Sequence, residues 1–145
     1  MIDRDRLIGA WKLVSAIEVY SDGERRPQFG PDAAGYLSYS PNGIVTAVLG
    51  STNRPGNEVT EPQSSTDADL AGMARQFIAY AGPFTIVDNT DTVIHHLEVS
   101  MFTGWQGTGQ ARTVRIDGDT LRIAASPRTA PDGRPFHTEL SWTRT

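Results

Sequence analysis

Apolar and polar residues alternate along most of this chain with a period of two, and short turn motifs cut the alternation into segments. Asp22-Gly23, Asn42-Gly43, Asp117-Gly118 and Asp132-Gly133 each separate two such runs. Pairs of this kind tolerate the positive φ that two-residue hairpin turns require. Eight strands follow from the pattern. Trp11 to Tyr20 is the first, with Leu13, Ser15, Ile17 and Val19 on the Trp11 face. Gly35 to Ser40 and Ile44 to Gly50 form a hairpin around Pro41-Asn42-Gly43, and Phe84 to Val87 is short. Thr92 to Met101 sets Val93, His95, Leu97, Val99 and Met101 against Ile94, His96, Glu98 and Ser100. Gly109 to Ile116 puts Gln110, Arg112, Val114 and Ile116 on one face. Leu121 to Ala125 follows, and Phe136 to Thr143 groups Phe136, Thr138, Leu140 and Trp142. Short strands and turns at this spacing predict an all-β sandwich or barrel.

One segment departs from the period. Thr66-Asp67-Ala68-Asp69 has the form of a capping box with Asp in the Glu position. Leu70, Met73, Ala74, Phe77, Ile78 and Ala81 then follow helical spacing, and Gly82-Pro83 supplies a stop. The spacing predicts one helix between the third and fourth strands of this reading, with Met73 and Phe77 packed on the barrel. Ser51 to Ser65, polar and rich in Pro and Gly, reads as a long mobile loop.

Composition narrows the class of function. The 145 residues fit one domain covering the whole chain. The absence of cysteine removes disulfides, thiolate metal sites and a cysteine nucleophile. Net charge is −4 and the arginines are scattered, so no basic stripe exists for a phosphate backbone and no nucleic acid partner is expected. The opening Met-Ile-Asp-Arg-Asp-Arg has no apolar signal core, and no apolar run is long enough for a membrane span. The expectation is a cytoplasmic protein, without membrane partners, acting as monomer or homodimer.

Several segments carry a resemblance. Leu7-Ile8-Gly9-Ala10-Trp11 contains the Gly-x-Trp element with which lipocalins begin. Gly35 to Gly43, Tyr80-Ala81-Gly82-Pro83-Phe84-Thr85, His95 to Ser100, Gly107 to Arg112 and Leu140 to Arg144 complete the match. Together they resemble the bacterial and fungal lipocalin-like domain family more closely than the classical secreted lipocalins. The resemblance implies an eight-stranded antiparallel up-and-down barrel. It also implies that Trp11 plugs the closed end with Arg144 stacked over it. An eight-stranded barrel is just wide enough to fill with side chains or to hold one small ligand.

The inferred inward faces are not uniformly apolar. Tyr39, His95, Gln110, Arg112 and Thr138 lie among aliphatic residues, and a cation facing a barrel interior is costly unless something pairs with it. His95 reads either as a general base and donor to a ligand carbonyl or as a structurally satisfied buried histidine. Arg112 reads either as a fork for a carboxylate, enolate or phenolate oxygen or as a salt-bridge partner of Glu98. His96 leaves the strand on the opposite face, so the His-His pair cannot chelate one metal, and no metal is expected. Trp105, in Gly104-Trp105-Gln106-Gly107, covers the pocket mouth or anchors its loop, and Tyr80 can donate a hydroxyl near the mouth. The Gly104 to Gly109 run lacks dinucleotide-fingerprint spacing, and no P-loop or nucleophile elbow occurs, so no cofactor is implied.

Two functions fit. In the first, the barrel binds a small, mostly apolar organic ligand with an oxygen-rich or anionic end, lined by Tyr39, Tyr80, Leu97, Trp105, Gln110 and Thr138. In the second, it is a cofactor-free isomerase, cyclase or hydratase in which His95 shuttles a proton and Arg112 stabilises an oxyanion.

Overall fold

A computed structural model describes residues 1–145. A single turn of helix, α1 (Arg4–Leu7), precedes the sheet. The strands are β1 (Gly9–Tyr20), β2 (Arg25–Pro27), β3 (Ala33–Tyr39), β4 (Ile44–Ser51), β5 (Phe77–Ile86) and β6 (Thr92–Leu97). They continue as β7 (Val99–Ser100), β8 (Thr108–Asp117), β9 (Thr120–Ala125), β10 (Arg128–Thr129) and β11 (Pro135–Arg144), and the second helix is α2 (Asp67–Ala74). Eight of the strands close an antiparallel barrel in the order β1-β3-β4-β5-β6-β8-β9-β11, with β11 returning to pair with β1. The three short strands β2, β7 and β10 flank it.

One end of the barrel is shut by packing. Trp11 and Leu7 are fully buried there, and the Trp11 indole N–H donates to the Leu7 carbonyl at 3.0 Å. The Arg144 guanidinium lies 4.1 Å from the Trp11 ring centroid and donates to the carbonyls of Ile8 and Arg6. Gly9 is required beside this stack: its φ is +129°, and a Cβ would stand 3.0 Å from Arg144 Nη1.

Two strands carry an extra residue that turns the side chains over. Leu13 pairs with Trp142 and Ser15 with Ser141, so Val14 has no partner and is 64% exposed. Beyond it Ala16 and Tyr20 are buried, instead of the Ser15, Ile17 and Val19 set that unbroken alternation predicts. The strand expected over Thr92 to Met101 breaks at Glu98. Two residues of β5, Gly82 and Pro83, face three, His96 to Glu98, so Val99 is exposed and Ser100 buried.

The helix differs most from expectation. Its capping box forms, with Thr66 Oγ1 accepting from the Asp69 N–H and Asp69 from the Thr66 N–H. It ends at Ala74, has no buried residue, and lies between β4 and β5 because Arg25–Pro27 adds an unexpected second strand. Phe77 to Ala81 extend β5 instead, paired with Thr46 to Gly50. Those residues fit both periods, and the open edge of β4 selects the strand. Gly82-Pro83 lies opposite the bulge rather than stopping a helix. A Cβ on Gly82 would fall 1.8 Å from the His96 carbonyl oxygen, and Pro is tolerated where the ladder lapses. The segment 51–65 is tied down by Arg54, which donates to the Ser51 and Met73 carbonyls and lies over the Phe77 ring.

Candidate functional site

Above the packed end the barrel is hollow. A cavity of about 250 Å³ is bounded by apolar groups of Leu37, Ala47, Leu49, Ile78, Ile123 and Leu140. Its polar lining comes from Tyr80, His95, Gln110 and Arg112 on β5, β6 and β8, and from Gln28, Thr138 and Trp142 on or beside β1 and β11. In the closed order β5 and β6 stand three to four strands away from β11 and β1, so Tyr80 and His95 lie across the barrel from Trp142, while Gln110 and Arg112 on β8 are only two strands from β11. Trp105, Ser126 and Arg128 also belong to the lining, and no Asp or Glu contributes to it.

The first wall is organised around His95. Period-two alternation turns His95 inward on β6, and its direct cross-strand neighbours are Phe84 and Gln110. The Tyr39 hydroxyl lies 2.7 Å from Nε2 and the Tyr80 hydroxyl 2.8 Å from Nδ1. His95 is 1% exposed. Burial, and then the Arg112 charge, push its pKa from 6.5 to about 3, so the ring is neutral. A neutral imidazole has one donor and one acceptor nitrogen.

Hydrogen-bond accounting selects the tautomer. Tyr39 is buried with His95 as its sole hydrogen-bond partner. Were Nε2 protonated, the Tyr39 O–H would be left buried without an acceptor, a cost of about 1–3 kcal/mol. Tyr39 therefore donates to Nε2, and Nδ1–H donates to the Tyr80 oxygen. The proton of Tyr80 is then free of the relay. Tyr80 lines the cavity, and its neighbour Arg112 cannot accept, so the O–H is directed at whatever occupies the cavity. Burial raises the Tyr80 pKa and Arg112 opposes that rise; burial raises that of Tyr39 further.

Arg112 does not meet Glu98. It donates to Gln110 Oε1 at 2.9 Å and to the Ala111 carbonyl at 3.1 Å, and Glu98 is exposed beyond the bulge. A second guanidinium, Arg128, stands at the mouth over the Phe136 ring. Partial desolvation and the Arg112 charge lower its pKa. Two cations thus face a cavity whose own lining has no carboxylate, and Glu18, outside that lining, partly offsets the charge of Arg128.

The lipocalin-like domain model matches residues 8–145. The chain belongs to the lipocalin-like domain family. A relative from Aspergillus oryzae, a 4'-hydroxy-3'-methoxypropiophenone carrier protein, is 37% identical over 98 residues, covering 61% of this chain and 88% of the relative. The fold and this carrier relative together support small-molecule binding.

In this lipocalin-like barrel, His95, Arg112, Tyr80, Trp105, Gln110 and Thr138 line one cavity. Tyr39 reaches it only through His95, and Leu97, although buried, is not part of the lining. Trp105 sits in a turn of 3₁₀-helix at the mouth with its ring against Phe102 at 5.2 Å. His96 points away and meets Thr85 Oγ1 at 2.9 Å. Gln28, Arg128 and Trp142 escape the sequence reading as cavity residues. Gln28 lies in an irregular segment, and Arg128 in the two-residue β10, which is too short to show a period. Trp142 was placed on the inward face of the last strand, and the only signal it offered was an indole N–H that burial obliges to find a partner. No helix is long and apolar enough to cross a membrane.

Proposed function

We propose that this protein is a carrier for a small aromatic or otherwise mostly apolar molecule that presents a carbonyl, phenolate or carboxylate oxygen to Tyr80 and Arg112. The observation that carries this reading is the cavity with two arginines, the Tyr80 phenol and no acid in its lining. Such a site favours acceptor oxygens and disfavours amines. Size agrees: about 150 Å³ suffices for benzene, and a cavity of about 250 Å³ leaves room for substituents on a ring. The ligand in the fungal carrier's name, a phenyl ketone with oxygen substituents, is of this class. The test is titration of the ligand-free protein with propiophenones and aryl carboxylates, read by tryptophan quenching, since Trp105 and Trp142 line the cavity. Binding should weaken by about tenfold or more in Arg112→Met. Lack of binding by both compound classes to the wild type would overturn the proposal.

A second reading has one observation in its favour. The Tyr39–His95–Tyr80 chain is a proton path that ends at the cavity beside a cation. In a cofactor-free isomerase, cyclase or hydratase, Tyr80 would transfer the proton, His95 would position and recharge it, and Arg112 would hold the oxyanion. Incubating a bound ketone in D₂O distinguishes the two: deuterium entering next to the carbonyl favours the enzyme, and none favours the carrier.

A further inference from the structure

Two polar atoms on the wall opposite His95 are buried without a hydrogen-bond partner. They are the Nε1 of Trp142 and the Oε1 of Gln28. Both residues line the cavity, and Trp142 is only 2% exposed. Buried side-chain polar atoms in native proteins are paired with few exceptions, and each exception asks for a reason. The other buried indole in this chain obeys the rule, since Trp11 donates to Leu7. Trp142 could have been a phenylalanine if filling space were its only task.

The placement of the pair is built by the fold. Trp142 is held inward on β11 between Leu13 of β1 and Leu121 of β9. Gln28 follows β2, and its N–H donates to the Ala16 carbonyl at 2.9 Å. The first half of β1 pairs with β3 and the second half with β2, so Gln28 stands where β1 and β3 part. The indole can only donate and the amide oxygen can only accept. A hydroxyl group satisfies both, accepting from one and donating to the other. Protonated amines and simple ethers satisfy at most one.

We infer that Trp142 Nε1 and Gln28 Oε1 form a second ligand subsite that takes a hydroxyl group, so that the cavity grips its ligand at two opposite ends. This rests on the carrier reading and sharpens it. The ligand class is an aromatic ketone or acid whose ring bears a hydroxyl on the side away from the carbonyl oxygen. The carbonyl end faces Tyr80 and Arg112, the ring lies between Leu37, Leu49, Ile123 and Leu140, and the hydroxyl meets Trp142 and Gln28.

The experiment compares propiophenone, 4'-methoxypropiophenone and 4'-hydroxypropiophenone on the wild type, Gln28→Leu and Trp142→Phe. The wild type should bind the hydroxyl compound about tenfold tighter than propiophenone, because a site with unpaired buried partners rejects the analogue that lacks the group. The methoxy compound, which accepts but cannot donate, should fall between them. Gln28→Leu should lose the preference, binding the hydroxyl compound no tighter than propiophenone. In parallel, the Trp142 indole N–H resonance of ¹⁵N-labelled wild type should move downfield with the hydroxyl compound and not with propiophenone. That measurement decides the matter even where Trp142→Phe does not fold. Equal binding of all three ketones by the wild type overturns the subsite and leaves the carrier reading intact. A hydroxyl preference that survives in Gln28→Leu with an unmoved indole resonance also overturns it. Failure of every ketone to bind overturns both.

Discussion

Replacing His95 by Gln should remove a specific sensitivity to acid. The native ring is neutral because burial first, and Arg112 second, hold its pKa at about 3, against 6.5 for the ordinary side chain. The unfolded chain therefore binds a proton at this residue at a pH where the native state does not. Stability must fall with falling pH, starting near 6.5 and levelling off only below about 3. Each pH unit in that window costs about 1.4 kcal/mol, so the protein should lose about 2 kcal/mol between pH 7 and pH 5 from this residue alone. Glutamine offers one donor and one acceptor to the two tyrosines but has no proton to gain. The carboxylates of Asp22, Glu24 and Asp132 have pKa values below their ordinary 3.8 to 4.5, through hydrogen bonds to backbone N–H groups and arginines. They keep their charge through pH 5, and their stabilisation is lost only as pH falls further. Urea unfolding of wild type and His95→Gln at pH 7 and pH 5, without ligand, isolates the histidine in the difference between the two slopes. Parallel losses in the two proteins would mean that native His95 takes up a proton readily. The neutral relay, and the tautomer that directs the Tyr80 proton into the cavity, would both fall with that result.

Two further predictions concern the frame. Gly82→Ala should cost about 3 kcal/mol or more and lower Tm by about 10 °C, because its Cβ would sit 1.8 Å from the His96 carbonyl oxygen; a thermal melt within a degree or two of wild type would refute the bulge geometry. Arg144→Ala should cost about 2 kcal/mol through the lost stack and hydrogen bonds at the closed end, while affinity for any cavity ligand stays as in wild type; a parallel loss of affinity would show that the two ends of the barrel are coupled.

Much of this architecture was legible because it rests on local signals. The Asn42-Gly43 and Asp117-Gly118 turns announce their hairpins, and both glycines take the positive φ the motif demands. The inward set Gln110, Arg112, Val114 and Ile116 follows from simple alternation, because β8 has no bulge. The capping box at Thr66 is complete within four residues, so the start of α2 could be read where its end could not. Whether Phe77 to Ala81 continue a helix or join a strand depends on β4, some thirty residues away in sequence. The bulges at Val14 and Glu98 had the same effect: one extra residue reverses every later side chain, and nothing in the local composition marks it. Of the site, His95, Arg112 and Gln110 were visible as polar residues on apolar faces, whereas Tyr80 was legible only as a hydroxyl at the end of an expected helix that is in fact strand. Arg128 and Gln28 were not visible, since neither a two-residue strand nor an irregular segment has a face to read.

The cavity's electrostatics bear on what kind of ligand a carrier of this shape selects. The chain as a whole is negative, at −4, yet the cavity is lined by Arg112 and Arg128 with no acid. The two arginines repel each other, and Arg112 is one of the causes that keep His95 uncharged. Protonating His95 would add a third positive charge to the same wall, so the depressed pKa and the paired cations are two aspects of one field. A bound anion or strongly polarised oxygen would relieve all of this strain together. It would offset Arg112 and Arg128 and supply the acceptor that the Tyr80 proton lacks. By linkage, such a ligand must also raise the His95 pKa, since it removes part of the opposing charge. Starting from about 3, a rise of less than about four units leaves the ring neutral at pH 7. The relay therefore keeps its donor directed into the cavity whether the site is empty or full. A pre-set donor of this kind costs little to reorganise on binding, which suits a protein whose task is to hold an oxygen-bearing ligand.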